Sequence, residues 1–176
     1  MKIITKKTVV YKFDELDENQ KQKAIENLYD INIDHDWWDG TYEDAANVGI
    51  KITSFGIDRE SYCNGDIYCI LDTAEKIIEE HGEHCETYKT AADYLKSRAE
   101  LVKKYSDGKN LDIVAEDNEY DFDNECDDLD EEFKKSILED YRIMLSNDYD
   151  YCTSEEAIIE TIRCNDYDFT ADGKLF

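Results

Sequence analysis

The sequence predicts an α+β fold in which helices pack around a small antiparallel sheet. Three observations carry this. Apolar residues recur at helical spacing along most of the chain, and short β-favouring runs stand at 3–13, 50–59 and 66–71. The helices also follow one another without the intervening strands of a doubly wound α/β fold. The 176 residues hold no proline, no Gly/Ser-rich linker and no repeat. A single domain over 1–176 is therefore expected, with the acidic stretch 112–128 as an insert or linker within it.

Each element has its own signal. Ile3, Ile4, Val9, Val10, Tyr11 and Phe13 favour an extended first strand, with lysines between them. Asp17 with Gln20 forms a capping box, and Ala24, Ile25, Leu28 and Ile31 give the following helix its apolar face. Trp38, Tyr42 and Ala45 share a face of a short aromatic helix that Gly49 stops in a left-handed conformation. Ile50, Ile52, Phe55 and Ile57 make a strand, and Asn64-Gly65 reads as a hairpin turn before a second strand at 66–71, with a bulge near Ser61. Three more helix starts are read at Asp72/Glu75, Thr90/Asp93 and Thr153/Glu156, with Gly82 ending the first of these helices. Leu129, Phe133, Ile137 and Tyr141 mark a long helix between the last two starts. The tail ends in a β excursion around Tyr167, Phe169 and an Asp172-Gly173 turn.

Charge narrows function more than any motif. Acids number 45 and bases 20, a formal charge of −25. Nucleic-acid binders need excess Lys and Arg to displace counterions, and anionic membranes attract the same residues, so both partners are excluded. No run approaches the 18 apolar residues of a membrane span, and residues 1–10 lack the apolar core of a secretory signal. A cytoplasmic protein with six reduced cysteines is the reading that follows.

The opening VVYKFDELDENQKQKAIENLY carries a Tyr-x-Phe-Asp-Glu-Leu pattern at Tyr11, Phe13, Asp14, Glu15 and Leu16, then a Lys/Glu/Ala-rich helix and the pair Trp37-Trp38. With the ending TSEEAIIETIRCNDYDFTADGKLF, this resembles a group of small acidic proteins from bacteriophages and related mobile elements. The resemblance implies a mobile-element origin and brings no catalytic motif.

The segment 112–132 holds 12 acids and no base. Asp117, Glu119, Asp121, Asp123 and Glu125 share one parity, so in an extended strand they would lie on one face about 6.6 Å apart. Tyr120 and Phe122 would anchor the other face. Asp127, Asp128, Asp130 and Glu131 carry the field into the next helix. Such a track suits the basic surface of a host protein that ordinarily holds DNA, and Trp37 is a separate candidate aromatic anchor for binding. A DNA mimic inhibiting a host nucleic-acid-binding or defence protein is the expected function. A structural or housekeeping phage protein is the competing one, and a homodimer is left open.

Chemistry finds little support. A calcium loop starting at Asp117 has Phe122 where glycine is needed. His81, His84 and Cys85 lack the paired ligands of a zinc site. No glycine-rich phosphate loop or nucleophile elbow occurs. Asp34, His35, Asp36 and Asp39 form the one cluster suited to a metal-dependent hydrolase, in a chain where a quarter of residues are acidic. No enzyme activity, cofactor or metal is expected.

Overall fold

The computed structural model of the protein describes Met1, residues 7–106 and residues 119–176, with Glu119 described by its backbone only. Six α-helices and four short strands run in the order β1 (Tyr11–Lys12), α1 (Glu18–Asn27), α2 (Asp39–Asn47), β2 (Ile50–Gly56), β3 (Tyr62–Ile67), α3 (Ile70–Glu80), α4 (Glu86–Tyr105), α5 (Glu119–Cys152), α6 (Glu155–Cys164) and β4 (Asp168–Phe169) among the described residues. The strands form two antiparallel pairs, β1 with β4 and β2 with β3. The fold is α+β, with two small sheets in place of one. Residues 1–37 and 147–176 make one compact unit, and residues 38–146 a second.

In the first unit, Phe13, Leu16, Ala24, Ile25, Ile158, Ile162 and Phe169 form the core. The Asp17 capping box is in place: Gln20 N–H donates to the Asp17 carboxylate, and Asp17 N–H donates to Gln20 Oε1, each at 2.9 Å. The first strand is shorter than expected. Residues 2–6 lie outside the described residues, and pairing covers Tyr11↔Phe169 and Lys12↔Asp168. A 3₁₀ turn, Phe13–Glu15, then diverts the chain, fixed by the Lys12 N–H donating to Glu15 Oε2 at 2.8 Å. The tail closes on α1 as a turn with Gly173 at φ +77°. A Cβ there would lie 2.7 Å from the Gln20 carbonyl, so both the conformation and the space demand glycine. Helix α6 starts at Ser154, whose hydroxyl accepts the Ala157 N–H, rather than at Thr153.

The second unit is built on the β2–β3 hairpin, with Ile50 and Ile52 buried beside Ala45, Val48, Ala74, Ile77, Ala91, Tyr94, Phe133, Ile137 and Tyr141. Asn64-Gly65 is not the turn: it lies inside β3, and residues 57–61 make the connection. The bulge falls between Ile52 and Ser54, not near Ser61. Gly65 is there for close approach. A Cβ would sit 2.9 Å from Leu138 Cδ2 on α5 and 3.0 Å from the Lys51 carbonyl. Gly49, at φ +95°, does follow α2 in the left-handed region.

Two further helix starts differ. Cys69 caps α3, placing Asp72 inside the first turn, where a carboxylate meets the positive end of the helix dipole. Cys85 caps α4, placing Thr90 on its side, with its hydroxyl donating to Asp140 Oδ2 at 2.7 Å. A Thr or Asp early in a helix thus imitates a cap in sequence while serving the dipole or a neighbouring helix. Helix α3 ends at Glu80, before Gly82.

Candidate functional site

The acidic stretch is helical where it is described. Phe122, Cys126, Leu129, Phe133, Ile137 and Tyr141 recur at intervals of four, three, four, four and four, an unbroken stripe on one side of α5. Helix α4 lies antiparallel against this stripe. Tyr105 meets the Phe122 ring at 5.8 Å, and Tyr94 meets Phe133 at 4.6 Å. The extended-strand reading of Glu119, Asp121, Asp123 and Glu125 is therefore overturned: the apolar contacts of Phe122 and Cys126 continue the helical period of 3.6 toward the N-terminus. Alternate acids then turn about 200° from each other instead of sharing a face. Asp117 lies outside the described residues.

The helix sorts its carboxylates into two groups. Glu125 and Asp130 turn toward α4 and are taken. Lys104 Nζ donates to Glu125 Oε1 at 2.7 Å, and the Tyr105 hydroxyl donates to the same oxygen at 2.7 Å. The Lys104 hydrogen bond first, and Tyr105 second, hold the Glu125 carboxyl below the usual range. Asp130 Oδ1 accepts the Tyr94 hydroxyl at 2.6 Å and Arg98 Nη1 at 3.2 Å. Burial, then this bond to Asp130, pushes the Tyr94 hydroxyl well above its ordinary range. These two acids hold α4 to α5.

Asp121, Asp123, Asp127, Asp128, Glu131 and Glu132 are exposed, and none forms an ion pair among the described residues. They fall within about 17 Å of helix axis, roughly one charge per 3 Å. A nucleic-acid strand carries one per about 3.4 Å, and duplex DNA one per about 1.7 Å. Acids four apart, such as Asp123 and Asp127 or Asp128 and Glu132, repel by a few tenths of a kcal/mol each. A groove of about 440 Å³ between α4 and α5 adjoins these acids, with Glu100, Asp128 and Glu132 and the Lys104–Glu125 pair on its walls beside Leu101 and Leu129.

The two tryptophans part company. Trp38 and Tyr42 meet the Phe55 ring edge-on at 5.7 and 6.1 Å in the second unit. Trp37 is half-buried in the first unit, 5.6 Å from the Tyr149 ring, and lines a cavity of about 420 Å³.

One arrangement escaped the sequence reading. The Tyr141 hydroxyl donates to Asp44 Oδ2 at 3.0 Å, His81 Nε2 lies 3.6 Å from Asp44 Oδ1, and His81 Nδ1 is 2.8 Å from Thr87 Oγ1. The series has the look of a nucleophile–base–acid chain. Thr87 is 4% exposed and Tyr141 fully buried, so the hydroxyls are closed to a substrate. The network instead ties α2, the end of α3, α4 and α5 together. Residues 44, 81, 87 and 141 are too far apart in sequence for any spacing rule to join them.

Asp34, His35, Asp36 and Asp39 are all exposed. Among the described residues no group of three His, Cys, Asp or Glu side chains is placed to hold a metal ion. All six cysteines are free thiols. Among the described residues no helix is long and apolar enough to cross a membrane. The chain matches no protein-family model, and no curated protein or solved structure shows significant similarity to it.

Proposed function

We propose that this is an acidic binding protein of bacteriophage type, acting without catalysis in the host cytoplasm by occupying the basic, nucleic-acid-binding surface of a host protein. The observation that carries the reading is the display of six exposed acids on α5, unpaired among the described residues, at a charge spacing close to that of a nucleic-acid strand. Such a field of charge, spread over the half of the helix opposite the apolar stripe, attracts a cationic groove over long range, speeds encounter and is repelled by DNA itself. Its rigidity matters too. The stripe beneath the acids is packed on α4, so little side-chain and backbone order remains to be lost on binding. Inhibition of a host defence or DNA-binding protein follows as the biological consequence.

Affinity capture from host lysate tests this. The expected result is one dominant DNA-binding protein at low salt, released near 0.5 M salt, where screening shortens to a few ångströms. The variant with Asp121, Asp123, Asp127 and Asp128 changed to Asn captures none of it. A smear of basic proteins, unchanged by the four substitutions, would remove the basis for the reading.

A further inference from the structure

The cavity beside Trp37 differs in kind from the acidic helix. It lies within the first unit, between the 32–37 segment, the end of α5 and α6, and none of its lining residues belongs to 119–132. Trp37 and Tyr151 supply aromatic surface, Ala157 an apolar patch, and Glu160 a carboxylate. Glu160 is exposed and has no cationic partner among the described residues. No Lys or Arg lines the cavity. Arg163, the cation in the last turn of α6, is held by Asp14 at 2.7 Å.

The walls are fixed. Asn32 accepts the Thr161 hydroxyl at 2.7 Å and donates to the Cys152 carbonyl at 3.0 Å, pinning the loop to both helices. Glu160 and Thr161 stand in the C-terminal half of α6, toward the end whose dipole favours positive charge. An anion would meet the Glu160 carboxylate here and, apart from the His35 imidazole on the lining, no basic side chain. A neutral apolar ligand would leave that carboxylate desolvated. A flat cation on an alkyl stem satisfies all parts at once, because guanidinium stacks on indole and phenol and pairs with a carboxylate in a planar fork.

We propose that this cavity binds a guanidinium group, presented as an arginine side chain of a partner protein. The volume of about 420 Å³ accommodates the side chain with its flanking backbone.

The test uses the full chain carrying Trp38→Phe, so that Trp37 is the sole indole reporter, followed by its Nε1–H resonance. N-acetyl-arginine methylamide is expected to shift that resonance saturably, and its neutral isostere, the citrulline derivative, to leave it in place. Glu160→Gln, an exposed position, is expected to weaken binding about three- to fivefold, the effect of one charge-assisted contact open to solvent. Trp37→Leu should abolish it, read by calorimetry with the far-UV spectrum confirming the fold. Asp128→Asn on α5 should change nothing, so failure here is distinguishable from failure of the acidic-helix reading. Equal shifts with citrulline, an unaltered affinity in Glu160→Gln, or no saturable shift would each overturn the site. Free arginine or agmatine binding tenfold tighter than the blocked residue would overturn the protein-borne source and make a small guanidine the ligand.

Discussion

Truncating two acids of α5, Asp130→Ala and Asp128→Ala, should move stability in opposite directions. Asp130 accepts from Tyr94, a side chain only 3% exposed, and from Arg98. Hydrogen bonds to a charged group contribute about 1.5–3 kcal/mol when a buried partner is left behind. The Asp130 side chain is 31% exposed, and the 3.3 Å contact from Arg98 to the Tyr94 hydroxyl survives its removal. Together these bring the loss to about 2 kcal/mol. Alanine's better helix propensity returns about 0.5 kcal/mol, leaving about 1.5 kcal/mol of destabilisation. Asp128 is exposed without an ion-pair partner among the described residues. Its removal gains the same propensity and relieves repulsion with Glu132, stabilising by about 0.5–1 kcal/mol. Urea unfolding followed by far-UV circular dichroism reads both. With m near 2–3 kcal/mol/M, the Asp130 midpoint should fall by about 0.5–0.8 M and the Asp128 midpoint rise by about 0.2–0.5 M. Shifts of the same sign would refute the division of α5 into holding and displayed carboxylates.

Other outcomes follow from the same contacts. Gly65→Ala drives a Cβ against Leu138 and the Lys51 carbonyl and should lower stability by about 1–3 kcal/mol in urea titration. Tyr141→Phe removes the hydroxyl's bond to the half-exposed Asp44 and should lose about 1–1.5 kcal/mol by the same assay. Glu125, Asp14 and Glu139 are held low, by the Lys104, Arg163 and Arg142 hydrogen bonds respectively. Their contribution is therefore present above the ordinary carboxylate values and lost as pH falls through the lower folded ones, so the urea midpoint should fall modestly below about pH 4, the pairs being screened by solvent. Asp140 runs the other way: burial raises its carboxyl despite the Thr90 bond. Its effect is favourable below the ordinary value and lost as pH rises through the folded one, so Asp140→Asn should gain on the wild type as pH rises above the ordinary carboxylate value. Burial pushes the Cys63 thiol up to about 11 and that of buried Cys126 upward, whereas Cys69, Cys85 and Cys164 are exposed. Alkylation at pH 8 followed by mass spectrometry should label those three first.

What could be read in advance was local. The Asp17 capping box, the Gly49 stop, the Asp172-Gly173 turn and the Phe133 stripe are each set by a few neighbouring residues, and each stands as expected. What failed depended on distant groups. Asn64-Gly65 carries a turn signature, yet Gly65 answers to Leu138, 73 positions away in sequence. The acids at 119–125 alternate like a strand, yet Phe122 and Cys126 are tied by packing to the helical stripe beyond them. Among the proposed contact residues, Glu125 and Asp130 could not be told from Asp127 or Asp128 by composition. Only the antiparallel docking of α4, which brings Lys104 and Arg98 opposite, separates them. Trp37 was singled out as an anchor, but its companions Tyr151 and Glu160 join it only when α6 folds back.

The central claim is that the exposed face of α5 takes the place of nucleic acid. It is tested most directly by displacement of a fluorescein-labelled DNA duplex from the captured host protein, followed by anisotropy at 0.1 M salt. The wild-type chain should release the duplex completely and competitively, with a potency that falls steeply as salt rises. The variant with Asp121, Asp123, Asp127 and Asp128 changed to Asn should require at least a hundredfold more protein, as expected when four opposed charges worth about 0.7 kcal/mol each are removed. Binding of the chain to the host protein with the duplex still in place, or equal displacement by the variant, would contradict the account.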